Sequence, residues 1–247
     1  MTRTLLGLLV VAAAASLVAC GSDTPSSPTT TTPTTPTSAI TPQITNIQIG
    51  QTQAFTLTAP TTPTTVTWTS SNPNVMTIDA AGNATAVGVG ASTITGTGDA
   101  NQNATLTVQV VPIYQGNWVG NATVIACTDL AGFSANNYCA QNLGVARRVT
   151  LTLTQSGLSV TGSMTKAEGA NLLNGSLAGS ILGAGDLSLG GSLAGLANGS
   201  NLQLALISWD SLADGTQMTG SWAGNITSPQ ILGLATLQWS LTMQSVP

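Results

Sequence analysis

The sequence predicts an all-β protein: a small antiparallel sandwich followed by an antiparallel β-meander that forms a barrel or a curled sheet. Three observations carry this. Apolar residues alternate with threonine at period two, as in Phe55, Leu57 and Ala59 and again in Val149-Thr150-Leu151-Thr152-Leu153-Thr154. The alternating runs are short and end in turns bearing Gly, Asn or Pro, such as Ala80-Ala81-Gly82-Asn83 and Gln155-Ser156-Gly157. The residues that fill them, Val, Ile and Thr, suit a pleated, half-buried surface. The expected layout is an export signal over residues 1–19, a linker over 20–42, a sandwich over 43–112 and a meander over 113–247.

Composition excludes several functions. The chain has 247 residues, of which 5% are charged, and its net charge is -4. Once Arg3 leaves with the signal, only Arg147, Arg148 and Lys166 are basic. Three cations build no patch for a phosphate backbone, so no nucleic acid is expected as a partner. The chain has no histidine. That removes Ser-His-Asp and Cys-His catalysis, His-ligated zinc and the commonest general base. The carboxylates are scattered. Asp210 and Asp214 lie near a turn beside Gly215, which reads as a solvated turn and not a glycosidase pair. Lys166 and Glu168 sit beside Gly169 and read as another turn. No catalytic residue, metal site or cofactor is expected.

The N-terminus begins with Arg3, an apolar run over residues 5–15, and then Leu17-Val18-Ala19-Cys20-Gly21. The run is short for a membrane span of roughly 20 residues and ends in small residues, as a secretory signal does. Leu17-Val18-Ala19-Cys20 resembles the lipobox of bacterial lipoproteins. The resemblance implies that the signal is cut before Cys20 and that Cys20 carries the lipid. The expected location is the bacterial cell envelope, with the outer membrane compatible with Gly21. Residues 22–42 are almost entirely Thr, Pro and Ser and are expected to form an extended, solvated stalk.

In the first domain, Val66 and Trp68 alternate with Thr67 and Thr69, and Leu106, Val108 and Val110 alternate at its end. Trp68 is expected to be a core plug between the sheets. Ser71-Asn72-Pro73 suits a turn, and Asp79 suits a turn cap. The segments Ile49-Gly50-Gln51-Thr52-Gln53, Val66-Thr67-Trp68-Thr69-Ser70-Ser71-Asn72-Pro73, Ile78-Asp79-Ala80-Ala81-Gly82 and Ala84-Thr85-Ala86-Val87-Gly88-Val89-Gly90 resemble the group 2 bacterial immunoglobulin-like family. The resemblance implies an immunoglobulin-like sandwich, a domain of surface adhesins and exported proteins that often serves as a spacer. It brings no catalytic residue.

The second domain offers strand candidates at residues 114–120, 149–154, 158–161, 175–181, 185–189, 202–209, 218–223 and 232–243, joined by short Gly- or Asn-rich turns. Sequential hairpins of this kind suit an up-and-down barrel, since closure removes exposed edges. Gly116-x-Trp118 resembles the opening strand of lipocalins and avidin-like barrels, although residues 232–247 lack the late arginine of lipocalins. Trp118, Trp209, Trp222 and Trp239 are expected in the core, with ligand stacking as the alternative. Cys127 and Cys139 are expected to form a disulfide that staples the polar excursion between them. Phe133 and Tyr138 lie in that excursion. They are candidate partner contacts; the alternative is that both rings tuck onto the barrel end.

These features together predict a membrane-tethered, non-catalytic protein with a binding, adhesion or structural role. Its expected partners are the membrane, through the lipid, and an envelope protein or glycan. The alternative expectation is a carrier holding a small apolar ligand in the barrel.

Overall fold

A computed structural model describes residues 37–99, 102–197 and 199–247. The export signal, Cys20 and residues 20–36 of the expected stalk lie outside the described residues. The chain forms two separately cored β-units joined through Val111, Pro112 and Ile113.

The first unit is a sandwich of short strands. One sheet has the order β2-β9-β8-β5, built from β2 (Asn46–Gln48), β9 (Asn103–Val111), β8 (Gly90–Gly98) and β5 (Val66–Ser70). Facing it are the order β3-β7-β6, from β3 (Thr52–Ala54), β7 (Asn83–Ala86) and β6 (Met76–Ile78), and the pair β1 (Ala39–Thr41) with β4 (Thr56–Thr58). Phe55, Met76, Ile94, Val108 and Val110 fill the space between the sheets. The expected boundary at residue 43 falls too late. Strand β1 precedes it, and Ile40 on that strand is buried opposite Leu57. The pairing is also not wholly antiparallel, because β2 runs parallel to β9.

Trp68 differs from expectation as well. It is half-buried and lies at the margin of the core. Its ring covers Gly96 and Gly82, where a Cβ would lie 2.8 Å and 3.1 Å from the indole. The indole thus lies between Gly96 of one sheet and the β6–β7 turn of the other, at the margin of the sandwich and not at its centre. Asp79 caps its turn: one oxygen accepts from the N–H groups of Ala81 (2.9 Å) and Asn83 (2.8 Å), and the other accepts from the Asn83 amide (3.0 Å).

The second unit is a closed barrel of eight antiparallel strands in chain order. They are β10 (Gly116–Asp129), β11 (Ala146–Ser156), β12 (Ser159–Glu168), β13 (Asn171–Leu182), β14 (Asp186–Ala197), β15 (Ser200–Asp214), β16 (Gln217–Ser228) and β17 (Ile231–Val246). Pairing of β10 with β17 closes the ring. Every strand candidate from the sequence falls on one of these strands. The chain enters at Gly116; that end is called proximal here, and the end reached at Asp129 distal.

The inward positions explain how so narrow a barrel packs. Large side chains alternate with glycine, as in Leu173-x-Gly175-x-Leu177 and Met218-x-Gly220-x-Trp222. A Cβ on Gly175 would fall 1.8 Å from the Ser192 carbonyl oxygen, and one on Gly220 2.2 Å from that of Asp210. Close approach of neighbouring strands therefore requires glycine there, and small–large alternation matches the taper of a small barrel. Trp118, Trp222, Trp239, Leu151 and Met164 fill the interior, each less than 2% exposed except Trp222 at 2%. Trp222 stacks on Trp239 with centroids 3.8 Å apart, and Trp209 lies 5.9 Å from Trp222. The tryptophans are core residues, the first of the two expectations. Packing this complete argues against a ligand in the barrel interior.

The outer wall carries Asn117, Thr152, Ser163, Gln203, Ser221 and Gln238, all exposed. Polar-out, apolar-in alternation is the reverse of a lipid-facing barrel.

At the proximal end, Tyr114 is fully buried. Its hydroxyl accepts from the Ala213 N–H (3.2 Å) and lies within donating distance of the carbonyls of Gly185 (2.8 Å) and Ser211 (3.0 Å). Its N–H donates to the Gln155 side chain (2.7 Å), and its carbonyl accepts from the Trp118 indole (2.8 Å). Burial pushes the phenol up to about 12, so it remains a hydrogen-bonding plug.

Candidate functional site

The distal end is built by the segment between β10 and β11. A β-bulge interrupts the β10–β17 register between Val124 and Ala126. An extra residue reverses which alternate side chains face inward. Cys127 thereby packs against the core cluster, within reach of the segment that follows. That segment folds into two short helices, α1 (Gly132–Ala135) and α2 (Tyr138–Asn142), which cover the distal mouth. Cys127 and Cys139 are bonded, with Cα atoms 5.4 Å apart. The Asp129 carboxylate accepts from the Cys139 N–H at 2.8 Å.

Phe133 is 1% exposed and packs into the barrel core; Tyr138 is partly buried and meets it edge-on at 5.2 Å. The rings tuck onto the barrel end. As protruding contacts for a partner, Phe133 and Tyr138 are therefore corrected: aromatic area of this size is held against Leu- and Ile-rich strand ends, where its burial is most favourable. What they do form is one wall of a cleft of about 320 Å³. Phe133, Asn136 and Tyr138 line its cap side, while Ala197, Leu202 and Ile231 line its strand side.

Beneath the cap lies an ionic cluster where a solvated turn was expected. Lys166 and Glu168 are buried inside the barrel and form a hydrogen-bonded ion pair. The Arg147 Nε lies 3.7 Å from Glu168 Oε1, and the Tyr138 hydroxyl donates to the same oxygen at 3.3 Å. Arg147 Nη2 donates to the Asn142 side chain at 2.8 Å. The Lys166 ammonium stands 5.6 Å from the centre of the Trp239 ring, in cation–π range. Burial holds the Lys166 amine below its usual range, opposed by Glu168, and burial raises the Tyr138 phenol. The signal for this site was present in the sequence. Val160, Met164, Lys166 and Glu168 share one parity on β12, so the rule that buries Val160 also carries both charges inward. Arg148 is exposed and Arg147 turns inward, as alternate positions require.

The other carboxylates do not assemble. Asp210 stands on the outer wall of β15 instead of in a turn, and Asp214 is exposed at the strand end. Among the described residues, no group of three His, Cys, Asp or Glu side chains could hold a metal ion.

Exposed leucines are unevenly placed around this end. Leu130 follows β10, Leu143 follows α2, Leu172 and Leu232 are the second residues of β13 and β17, and Leu196 is the penultimate residue of β14. Each is more than half exposed, and Leu232 is 85% exposed. They stand around a mouth whose wall carries exposed Thr, Ser, Gln and Asn together with Ile125 and Ile207.

Residues 34–108 match the family model described as the bacterial Ig-like domain (group 2), which covers the first unit and not the barrel. Domains of this kind are typically structural or adhesive and non-catalytic. Among solved structures, the chain is similar to the extracellular cadherin domains 1–4 of protocadherin gamma B7, at 10% identity and a TM-score of 0.29. That match covers 85% of this chain and 50% of the other, so the chain spans half the length of that structure. Among curated proteins, none matches the chain.

Proposed function

We propose that this chain, whose first unit is a bacterial Ig-like domain, is a lipid-tethered display protein of a bacterial envelope. The Ig-like unit is the spacer and the distal end of the barrel is the contact face. The tether is Cys20, read from the lipobox pattern. Several acyl chains, at about 0.8 kcal/mol per buried CH₂, give the stable attachment that one chain does not. The single observation that carries the contact face is the ring of exposed Leu130, Leu143, Leu172, Leu196 and Leu232. Exposed apolar side chains also stand singly on the wall, as Ile125 and Ile207, and at the proximal end, as Leu182. But five leucines that are each more than half exposed, with Leu232 at 85%, gather around the distal end and mark an interaction surface. The distal end is also the end remote from the chain's entry at Gly116, so a partner can reach it without meeting the Ig-like unit at the proximal turns.

The supporting chemistry is non-catalytic. The ionic cluster is buried: Lys166 and Glu168 pair with one another, and the Tyr138 hydroxyl donates to the same carboxylate. The partner is an envelope protein or glycan with an apolar surface to offer.

Two measurements test this. Cys20→Ala should move the protein from the membrane to the soluble fraction, or leave it unprocessed; unchanged fractionation would remove the tether. A photo-crosslinking residue at position 232 in the tethered chain should give a discrete adduct, and one at position 152 on the polar wall should not. Equal adducts at both positions would remove the distal face from the account.

A further inference from the structure

The distal cleft has a neutral lining. Among the described residues, no charged side chain lines it. Its polar groups are the amides of Asn136 and Gln141, both from the cap, and the hydroxyl of Ser200, the first residue of β15. Each is a neutral group that both donates and accepts. The backbone holds the two amides in place. Asn136 Nδ2 donates to the Gly132 carbonyl at 2.6 Å, and Gln141 Nε2 donates to the Asn136 carbonyl at 3.1 Å. Those bonds use one N–H of each amide and leave the other N–H and the oxygen to a ligand.

The rest of the lining is apolar. Ala197, Leu202 and Ile231 form the strand side, and Phe133 and Tyr138 add ring surface on the cap side. The bond from the Tyr138 hydroxyl to Glu168 fixes the orientation of that ring. A charged ligand finds no counter-charge in such a lining. A purely apolar one displaces water from the amides without replacing its hydrogen bonds. A compact neutral molecule with hydroxyl or amide groups on one side and an alkyl group on another meets both requirements. A sugar ring bearing an acetamido group is such a molecule: its hydroxyls and amide answer Asn136, Gln141 and Ser200, and its methyl answers the aliphatic side. An extended peptide is commonly held on a free sheet edge, and the barrel closed by β10 and β17 offers none. The volume of about 320 Å³ is at the small end of the range of ligand pockets and suits a compact unit. Leu196 and Leu232 of the rim adjoin Ala197 and Ile231 in the chain, so the cleft belongs to the same end as the contact face.

We infer that the distal cleft binds a neutral N-acetylated amino sugar, with the hydroxyls on Asn136, Gln141 and Ser200 and the acetamido methyl against Leu202 and Ile231. The Cys127–Cys139 bond and the contact from Tyr138 to Glu168 hold the cap in place before the sugar arrives, which lowers the ordering cost of binding. The sugar lies between cap and strands and does not enter the packed interior. This inference rests on the distal end being the working face, and it names the glycan chemistry that end recognises.

Isothermal titration of the full chain carrying Cys20→Ala, with N,N′-diacetylchitobiose and with cellobiose as probes, tests it. Diacetylchitobiose should bind saturably at one site. Cellobiose, equal in ring skeleton and linkage and lacking the acetamido groups, should bind at least about tenfold more weakly. Gln141→Ala, at an exposed position of the cap, should weaken diacetylchitobiose about three- to tenfold. Ile231→Ser removes the alkyl contact, so the preference for diacetylchitobiose over cellobiose should shrink. Near-UV circular dichroism of the stacked tryptophans reports whether each variant keeps its barrel; should Ile231→Ser not fold, the cellobiose comparison and Gln141→Ala decide. Absence of saturable diacetylchitobiose binding, equal affinity for cellobiose, or undiminished affinity in Gln141→Ala would overturn the inference. Cross-linking at position 232 does not depend on a soluble sugar. A chain that cross-links there and does not bind diacetylchitobiose loses this inference and keeps the contact face, so the two failures are separable.

Discussion

Tyr114 shows how much a single side chain holds at the proximal end. Its hydroxyl serves the backbone N–H of Ala213 and carbonyls at Gly185 and Ser211, all within a buried junction. Tyr114→Phe leaves those groups without a partner and should cost about 1–3 kcal/mol in chemical denaturation. A loss within the range of ordinary surface substitutions would show that the junction is wetter than its packing indicates. Asp79 makes a prediction with a sign. Hydrogen bonds from Asn83 and neighbouring N–H groups hold its carboxyl below 3.8. Its stabilisation is therefore present above the unfolded value and fades as pH falls through the lower, folded value. Asp79→Ala should lower the melting temperature of the Ig-like unit at neutral pH, and the gap to the parent should close in acid. A gap independent of pH would assign the effect to packing. The role of Asp79 was legible because an Asx turn is a local matter of spacing to Gly82 and Asn83. Trp68 was misread because its depth is set by Gly96, a residue brought beneath it only by the pairing of β5 with β8.

At the scale of elements, the distal cap is the informative piece. It is held by the Cys127–Cys139 bond and by side-chain contacts from Tyr138 to Glu168 and Asn142 to Arg147. Closing a loop of this length contributes about 3 kcal/mol by the chain-entropy model. Replacing both cysteines by serine should destabilise the barrel by about that amount in denaturant titration while the folded chain keeps the near-UV signal of its tryptophan stack. Loss of that signal in native buffer would mean that the cap is required for the barrel to close. The eight strands were readable from alternation, and the disulfide from the two cysteines that remain beside the expected export signal. The cap's helices were not readable: α1 and α2 are four and five residues long and show no helical periodicity. The ionic cluster was lost for a different reason. Charged residues beside a glycine suggest a turn, and here that local rule competed with strand parity, which prevailed because β12 continues through Glu168.

For the whole molecule, each unit has its own core, and the most exposed leucine, Leu232, stands with Leu130, Leu143, Leu172 and Leu196 at the mouth farthest from the chain's entry. A barrel filled by tryptophan and leucine is a rigid body, and rigid presentation lowers the ordering entropy of binding. On the proposed function, contact with the envelope belongs to the distal rim. This is tested most directly by measuring the affinity of the Cys20→Ala chain for envelope fractions of its host, alone and with Leu172→Ser, Leu196→Ser and Leu232→Ser combined. The substituted positions are exposed, so the melting temperature should stay within a few degrees of the parent. The expected result is a loss of affinity of at least tenfold. Undiminished affinity in the folded triple variant would contradict it.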